Sequence, residues 1–141
     1  MLRLVLDTDV IVAAMRSPEG ASSAILKAAA HKRIILLASV TLAIEYQAVC
    51  TRAEHVLAAG LKTSEAREFV QTVISLMEPV VTYFLWRPQL NDPNDEMVLE
   101  AAANGRADAL VTFNHRHFGS SPGRFGIETL MPAEIMRRIR L

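Results

Sequence analysis

Residues 2–6 (LRLVL) form a short apolar run, the pattern of a strand buried on both faces, and DVIVAAM after Asp7 continues in helical spacing. SPEG at 17–20 breaks that pattern as a turn. The stretch from Ala21 to Lys32 is Ala-rich with Ile25 and Leu26 in helical spacing, and IILL at 34–37 is a compact β-type run. Ser39 is placed to cap a helix SVTLAIEYQAVCTR, whose apolar positions Leu42, Ile44, Tyr46 and Val49 cover most of its circumference. Gly60 ends one helical segment and Thr63 or Ser64 caps another. In the latter, EAREFVQTVISLM repeats Phe69, Val70, Val73, Ile74 and Met77 at helical intervals as far as Pro79.

VVTYFLW at 80–86 reads as a strand, DPNDEMVLEAAANG as a helix capped by Asp92 and closed by Gly105, and DALVTF as a buried strand. SSPG at 120–123 reads as a loop, GIETL as a short strand, and a final helix begins near Pro132. Strands alternating with helices predict a three-layer α/β/α sandwich with a mainly parallel central sheet. No repeat, low-complexity tract or linker divides the chain, so residues 1–141 are expected to form one domain.

Composition narrows the picture. With 51% hydrophobic and 21% charged residues, the chain has the make-up of a packed domain and not of a disordered one. The single Cys50 excludes an internal disulfide framework and a cysteine-rich zinc site. With no secretory pattern at the start, it suits the cytoplasm. The longest uncharged apolar segment, IILLASVTLAI at 34–44, is shorter than the roughly 20 residues of a membrane span, so no membrane role is expected. Fifteen Lys plus Arg balance 15 Asp plus Glu, which leaves no global field for nucleic acid. Any such contact must be local. Apart from Lys27, Lys32 and Lys62, the basic residues are arginines, which favour bidentate contact with phosphate or carboxylate.

The acids are the candidate chemistry. Asp7 and Asp9 interrupt the apolar LVLDTDVIV, where loss of hydration and mutual repulsion demand hydrogen bonds, basic partners or a cation. Ligands of parallel sheets bind outside the carboxyl ends of the strands. Asp7 after the first strand and Asn114 after DALVTF both fall there. Asp92 and Asp95 begin the helix that leads into the latter strand, and Glu45 lies mid-helix. Each has a plainer use: Asp92 as N-cap with Asp95 favoured by the helix dipole, Glu45 on a solvated face, Asp9 as cap of the following helix. Oxygen donors without a Cys or His set suit a hard cation such as Mg²⁺ or Mn²⁺. Such a cation neutralises phosphate oxygens and activates water.

The chain resembles a PIN domain, most closely the PIN-family toxin component of toxin–antitoxin systems. The resemblance rests on LVLDTDVIVAA, on SVTLAIEYQAVCTR with its Ser-x-x-Leu-x-x-Glu-Tyr and Val-x-x-Arg pattern, on DPNDEMVLEAAANGRADALVTFN and on GIETLMPAEIM. It implies a Mg²⁺- or Mn²⁺-dependent ribonuclease with Asp7, Glu45 and Asp95 as catalytic acids, joined at the metal by Asp92 and Asn114. Thr8, Asp9, Arg52 and His117 fall in supporting or substrate-contacting positions. The resemblance further implies an RNA substrate, a co-encoded antitoxin that covers the active-site groove, and a homodimer.

Two departures stand out. Asp9 occupies a position where the family usually has Asn, and the fourth acid is replaced by Asn114 or His117 in VTFNHRHF. Two alternatives follow. One is a catalytically weak PIN-like binding module. The other is a haloacid-dehalogenase-type phosphatase with Asp7 as nucleophile and Asp9 as general acid, which would need a lysine well downstream, where the chain offers Lys62.

Overall fold

The computed structural model describes residues 1–83 and 90–139. Its strands are β1 (Arg3–Leu6), β2 (Ile35–Ala38), β3 (Met77–Pro79), β4 (Ala109–Val111) and β5 (Glu128–Leu130). Its helices are α1 (Thr8–Arg16), α2 (Ala21–Ala30), α3 (Val40–Cys50), α4 (Ala53–Ala59), α5 (Thr63–Ser75), α6 (Pro93–Asn104), α7 (His115–Phe118) and α8 (Pro132–Ile139). The strands form one parallel sheet in the order β3-β2-β1-β4-β5, within the three-layer α/β/α fold that the alternating pattern predicts.

β1 is the middle strand. Leu4, Val5 and Leu6 are wholly buried, as a strand covered by helices on both faces requires. Leu4 pairs with Leu36 on one side and Ala109 on the other. α6 packs against β1, β2 and β4, while α2 packs against both α1 and α8. Gly105 closes α6 because of close approach: a Cβ there would lie 2.8 Å from the Ala101 carbonyl oxygen and 2.9 Å from Val80 Cγ2.

Several local expectations are corrected. The strand expected over 80–86 forms earlier, at Met77–Pro79, where it pairs with Leu36–Ala38. Pro79 therefore sits in an edge strand, which tolerates its missing N–H, and does not end a helix. Val80 extends the pairing by donating to the Ala38 carbonyl, Val81–Tyr83 have no regular structure, and residues 84–86 of the expected strand lie outside the described residues. The N-cap of α5 is Lys62 and not Thr63 or Ser64. Its backbone N–H donates to the Glu65 carboxylate at 2.9 Å. SSPG contributes Pro122 and Gly123 to a short 3-10 turn, Pro122–Phe125. Ser39 does cap α3, accepting from the Leu42 N–H, and Gly60 ends α4 in the left-handed region at φ 70°. Among the described residues no helix is long and apolar enough to cross a membrane.

Candidate active site at the ends of strands one and four

From β1 the chain crosses to β2 and β3 on one side of the sheet, and β4 and β5 lie on the other. The carboxyl ends of β1 and β4 thus flank the switch point of the sheet, where open parallel sheets bind their ligands.

Asp7 follows β1 directly. Its backbone N–H donates to the Val111 carbonyl at 2.8 Å, so the pairing with β4 holds the main chain up to the acid itself. Its extended backbone makes it the N-cap of α1, and its Oδ1 accepts from the Thr8 N–H at 2.8 Å. Its Oδ2 accepts from the Thr112 hydroxyl at 2.7 Å. Asp7 is only 7% exposed. Burial raises its pKa, and the hydrogen bonds from Thr112 and Thr8 oppose the rise.

Asp9 is not the helix cap, because α1 begins one residue earlier, at Thr8, with Asp7 capping it. It lies in the first turn, turned towards the loop after β4. Oδ2 accepts from the Phe113 N–H at 3.0 Å and from Asn114 Nδ2 at 2.9 Å, with the Thr112 hydroxyl more distant at 3.4 Å. The single Thr112 proton belongs to Asp7 on those distances, and Thr112 Oγ1 in turn accepts from the Asn114 N–H. Asp9 Oδ1 is buried and has no hydrogen-bond partner. Burial first, and Asp7 second, push the Asp9 pKa up to about 6.

Asp92 caps α6 as expected, accepting from the Asn94 N–H at 2.9 Å, and Pro93 takes the first helical position. Asp95, in the first turn of α6, is buried, and its Oδ2 lies 3.5 Å from Nδ1 of the more exposed His117. Its pKa is pushed up to about 6 by burial, then by Asp7 and Asp92, against the opposing influence of His117. Asp7 feels Asp92 and His117 in the same way.

The fold therefore links Asp7, Asp9, Asp92, Asp95, Asn114 and His117 through hydrogen bonds or charge. It shows no such link for Glu45 or Arg52. Glu45 is half-buried in α3 and Arg52 is exposed at the N-cap of α4, and neither side chain makes a hydrogen bond or ion pair among the described residues. Thr8 is buried at the start of α1. Among the described residues, no three His, Cys, Asp or Glu side chains converge closely enough to hold a metal ion by themselves.

Two residues outside the expected set support the site. Thr112 is wholly buried and ties β4 to Asp7. Tyr46, also wholly buried, donates its hydroxyl to the carbonyl of Leu6, the residue before Asp7. The available signals were a threonine ending a buried strand, in VTF, and a tyrosine on the apolar side of α3.

A family model described as PIN domain matches residues 3–116, and the chain belongs to this family. PIN domains are generally nucleases and typically use divalent metal ions. No curated protein matches the chain. Membership of the PIN family displaces the phosphatase alternative. Lys62, the lysine that reading required, is exposed at the start of α5 and makes no side-chain hydrogen bond or ion pair with Asp7 or Asp9.

Proposed function

We propose that the chain is an endoribonuclease that hydrolyses RNA phosphodiesters with Mg²⁺ or Mn²⁺, and that it acts as the toxin of a toxin–antitoxin pair. The observation that carries the nuclease reading is Asp7: a buried carboxylate at the switch point, hydrogen-bonded by Thr8 and Thr112, and within electrostatic reach of Asp92 and Asp95.

The residues fit a hard divalent cation. The donors are oxygens, the acids raise one another's pKa, and one buried carboxylate oxygen has no partner. Asp7 and Asp95 would hold the cation, with Asp92, Glu45 and Asn114 as further ligands. When bound, such a cation supplies charge neutralisation at phosphate oxygens and activation of a water molecule.

The chain's own part is positioning. Thr8 and Thr112 fix both oxygens of Asp7, and the sheet keeps Asp7 beside the loop after β4. His117 of the short α7 is exposed next to Asp95, where it meets the phosphate backbone of RNA, and Arg52 is a further phosphate contact.

Cytoplasmic location, a homodimer and a co-encoded antitoxin belong to the same reading. In support, Cys50 is a free thiol, and α3 and α4 leave Val40, Ile44 and Leu57 exposed. An apolar groove of about 630 Å³ between α1, α2 and α5, lined by Met15, Leu26 and Phe69, gives room for a partner segment.

The test is cleavage of mixed structured and single-stranded RNAs with Mg²⁺, Mn²⁺ or EDTA, with Asp7→Asn prepared identically. The expected result is metal-dependent cleavage that the variant lacks. Full activity in Asp7→Asn removes Asp7 from the mechanism. The second reading, a catalytically weak binding module, is favoured by the lack of three converging acids among the described residues, and it gives RNA and metal binding without cleavage.

A further inference from the structure

Asp9 has two differently treated oxygens. Oδ2 is saturated by the Phe113 N–H and the Asn114 amide, with the Thr112 hydroxyl near by. Oδ1 is shut away from water and accepts no well-formed hydrogen bond, although the Val10 backbone N–H lies close enough to favour the charged carboxylate. An ionised carboxylate oxygen left unpaired in this way is expensive. Asp9 does not cap α1, since Asp7 does, so helix capping gives no account of it. The donors on Oδ2 hold the carboxylate in one orientation against the loop after β4, so Oδ1 is presented at a fixed place beside Asp7.

We infer that Asp9 is itself a cation ligand, supplying Oδ1 to the divalent ion at Asp7, and that Asn114 acts as the positioning residue that holds Asp9 by its Oδ2. This rests on the metal-site reading above and extends it. The carboxylate that completes the site then comes from the first turn of α1, and the amide after β4 steadies it. Asn114 Nδ2 donates to Asp9 Oδ2, and through this contact the amide steadies the carboxylate.

The test is a calorimetric titration of the full chain with Mn²⁺ and, separately, Cd²⁺, with metal-free thermal unfolding measured on every protein. Asp9→Asn keeps size and an oxygen for the Phe113 N–H. It is expected to weaken Mn²⁺ binding about tenfold or more while its metal-free Tm stays equal or rises. Asp9→Cys, which offers a soft ligand at the same place, is expected to lose Mn²⁺ affinity and gain Cd²⁺ affinity over the unaltered chain. Asn114→Ala touches no carboxylate and is expected to weaken Mn²⁺ binding a few-fold.

An unaltered chain that binds no Mn²⁺ overturns the metal-site reading, and this inference with it. Binding by the unaltered chain with equal affinity in Asp9→Asn overturns this inference alone. Loss of Mn²⁺ in Asp9→Asn without Cd²⁺ gain in Asp9→Cys also overturns it, because Asp9 would then act only through its charge. Unchanged affinity in Asn114→Ala overturns the positioning role of Asn114.

Discussion

Thr112 and Asp7 are 105 positions apart in the chain, and the hydroxyl of one lies 2.7 Å from a carboxylate oxygen of the other. Thr112 is at the end of β4 and wholly buried, so its hydrogen bond helps keep Asp7 ionised in a place where burial alone favours the neutral acid. Thr112→Val keeps the shape and removes the donor. It also removes the acceptor of the Asn114 N–H. The expected loss is about 1.5–3 kcal/mol of stability, the range for hydrogen bonds to charged groups. Thr112→Ser is expected to stay near the unaltered protein. Urea unfolding of the two variants checks this, and equal midpoints for Val and Ser would show the hydroxyl to be dispensable.

Asp9 and Asp95 give stability a pH dependence of unusual sign. Each carboxyl has a pKa near 6 in the folded chain, against roughly 4 when unfolded. Between those values the folded state binds more protons than the unfolded state, so stability falls as pH rises. The loss is absent below about pH 4, where both states are protonated, and complete above about pH 6. Asp7, raised in the same direction, adds to it. Through these groups the metal-free protein is expected to be more stable at pH 5 than at pH 7.5, by on the order of 1–2 kcal/mol for such a coupled set. Melting curves with EDTA at the two pH values test it. Saturating Mn²⁺ is expected to recover the difference at pH 7.5, since a ligand of the folded state stabilises it.

Tyr46 reaches the same site from beneath. Its hydroxyl donates to the Leu6 carbonyl from a wholly buried position, and burial drives its pKa well above the ordinary tyrosine value, so it remains a neutral donor. Tyr46→Phe is expected to destabilise by about 1–2 kcal/mol, because a buried carbonyl at the end of β1 loses its side-chain donor. The urea midpoint should fall with an unchanged slope. Because Leu6 precedes Asp7, RNA cleavage should fall as well, and a stability loss with full activity would confine Tyr46 to packing.

How far the sequence carried this picture depends on which property each element rests on. The parallel α/β/α architecture follows from apolar runs alternating with helical spacing, and β1, β2 and β4 lie close to where LRLVL, IILL and DALVTF place them. Asp7 and Asn114 at strand ends follow from the same pattern. The link through Thr112 does not, because it depends on the register in which Leu6 pairs with Val111. Whether Asp7 or Asp9 caps α1 depends on one backbone conformation, ψ 155° at Asp7, which either acid could have adopted. β3 departs from its expected place because Pro79 reads as a helix stop, whereas in an edge strand its missing N–H costs little.

Glu45 and Asp95 carry matching expectations from the family resemblance but different physics here. Asp95 is buried among Asp7 and Asp92 and its charge is opposed by them, while Glu45 makes no hydrogen bond or ion pair among the described residues. Neutralising each should therefore separate stability from activity. Asp95→Asn relieves repulsion and is expected to raise the metal-free stability at pH 7.5 by on the order of 1 kcal/mol while abolishing metal-dependent cleavage. Glu45→Gln relieves little and is expected to leave the melting curve within about 0.5 kcal/mol of the unaltered protein. If Glu45 joins the cation only with RNA bound, its variant loses cleavage but keeps the Mn²⁺ affinity of the RNA-free protein. Titration, melting and cleavage on the same two preparations decide this. Full cleavage by Glu45→Gln would reduce the catalytic acids to those at the end of β1 and the start of α6.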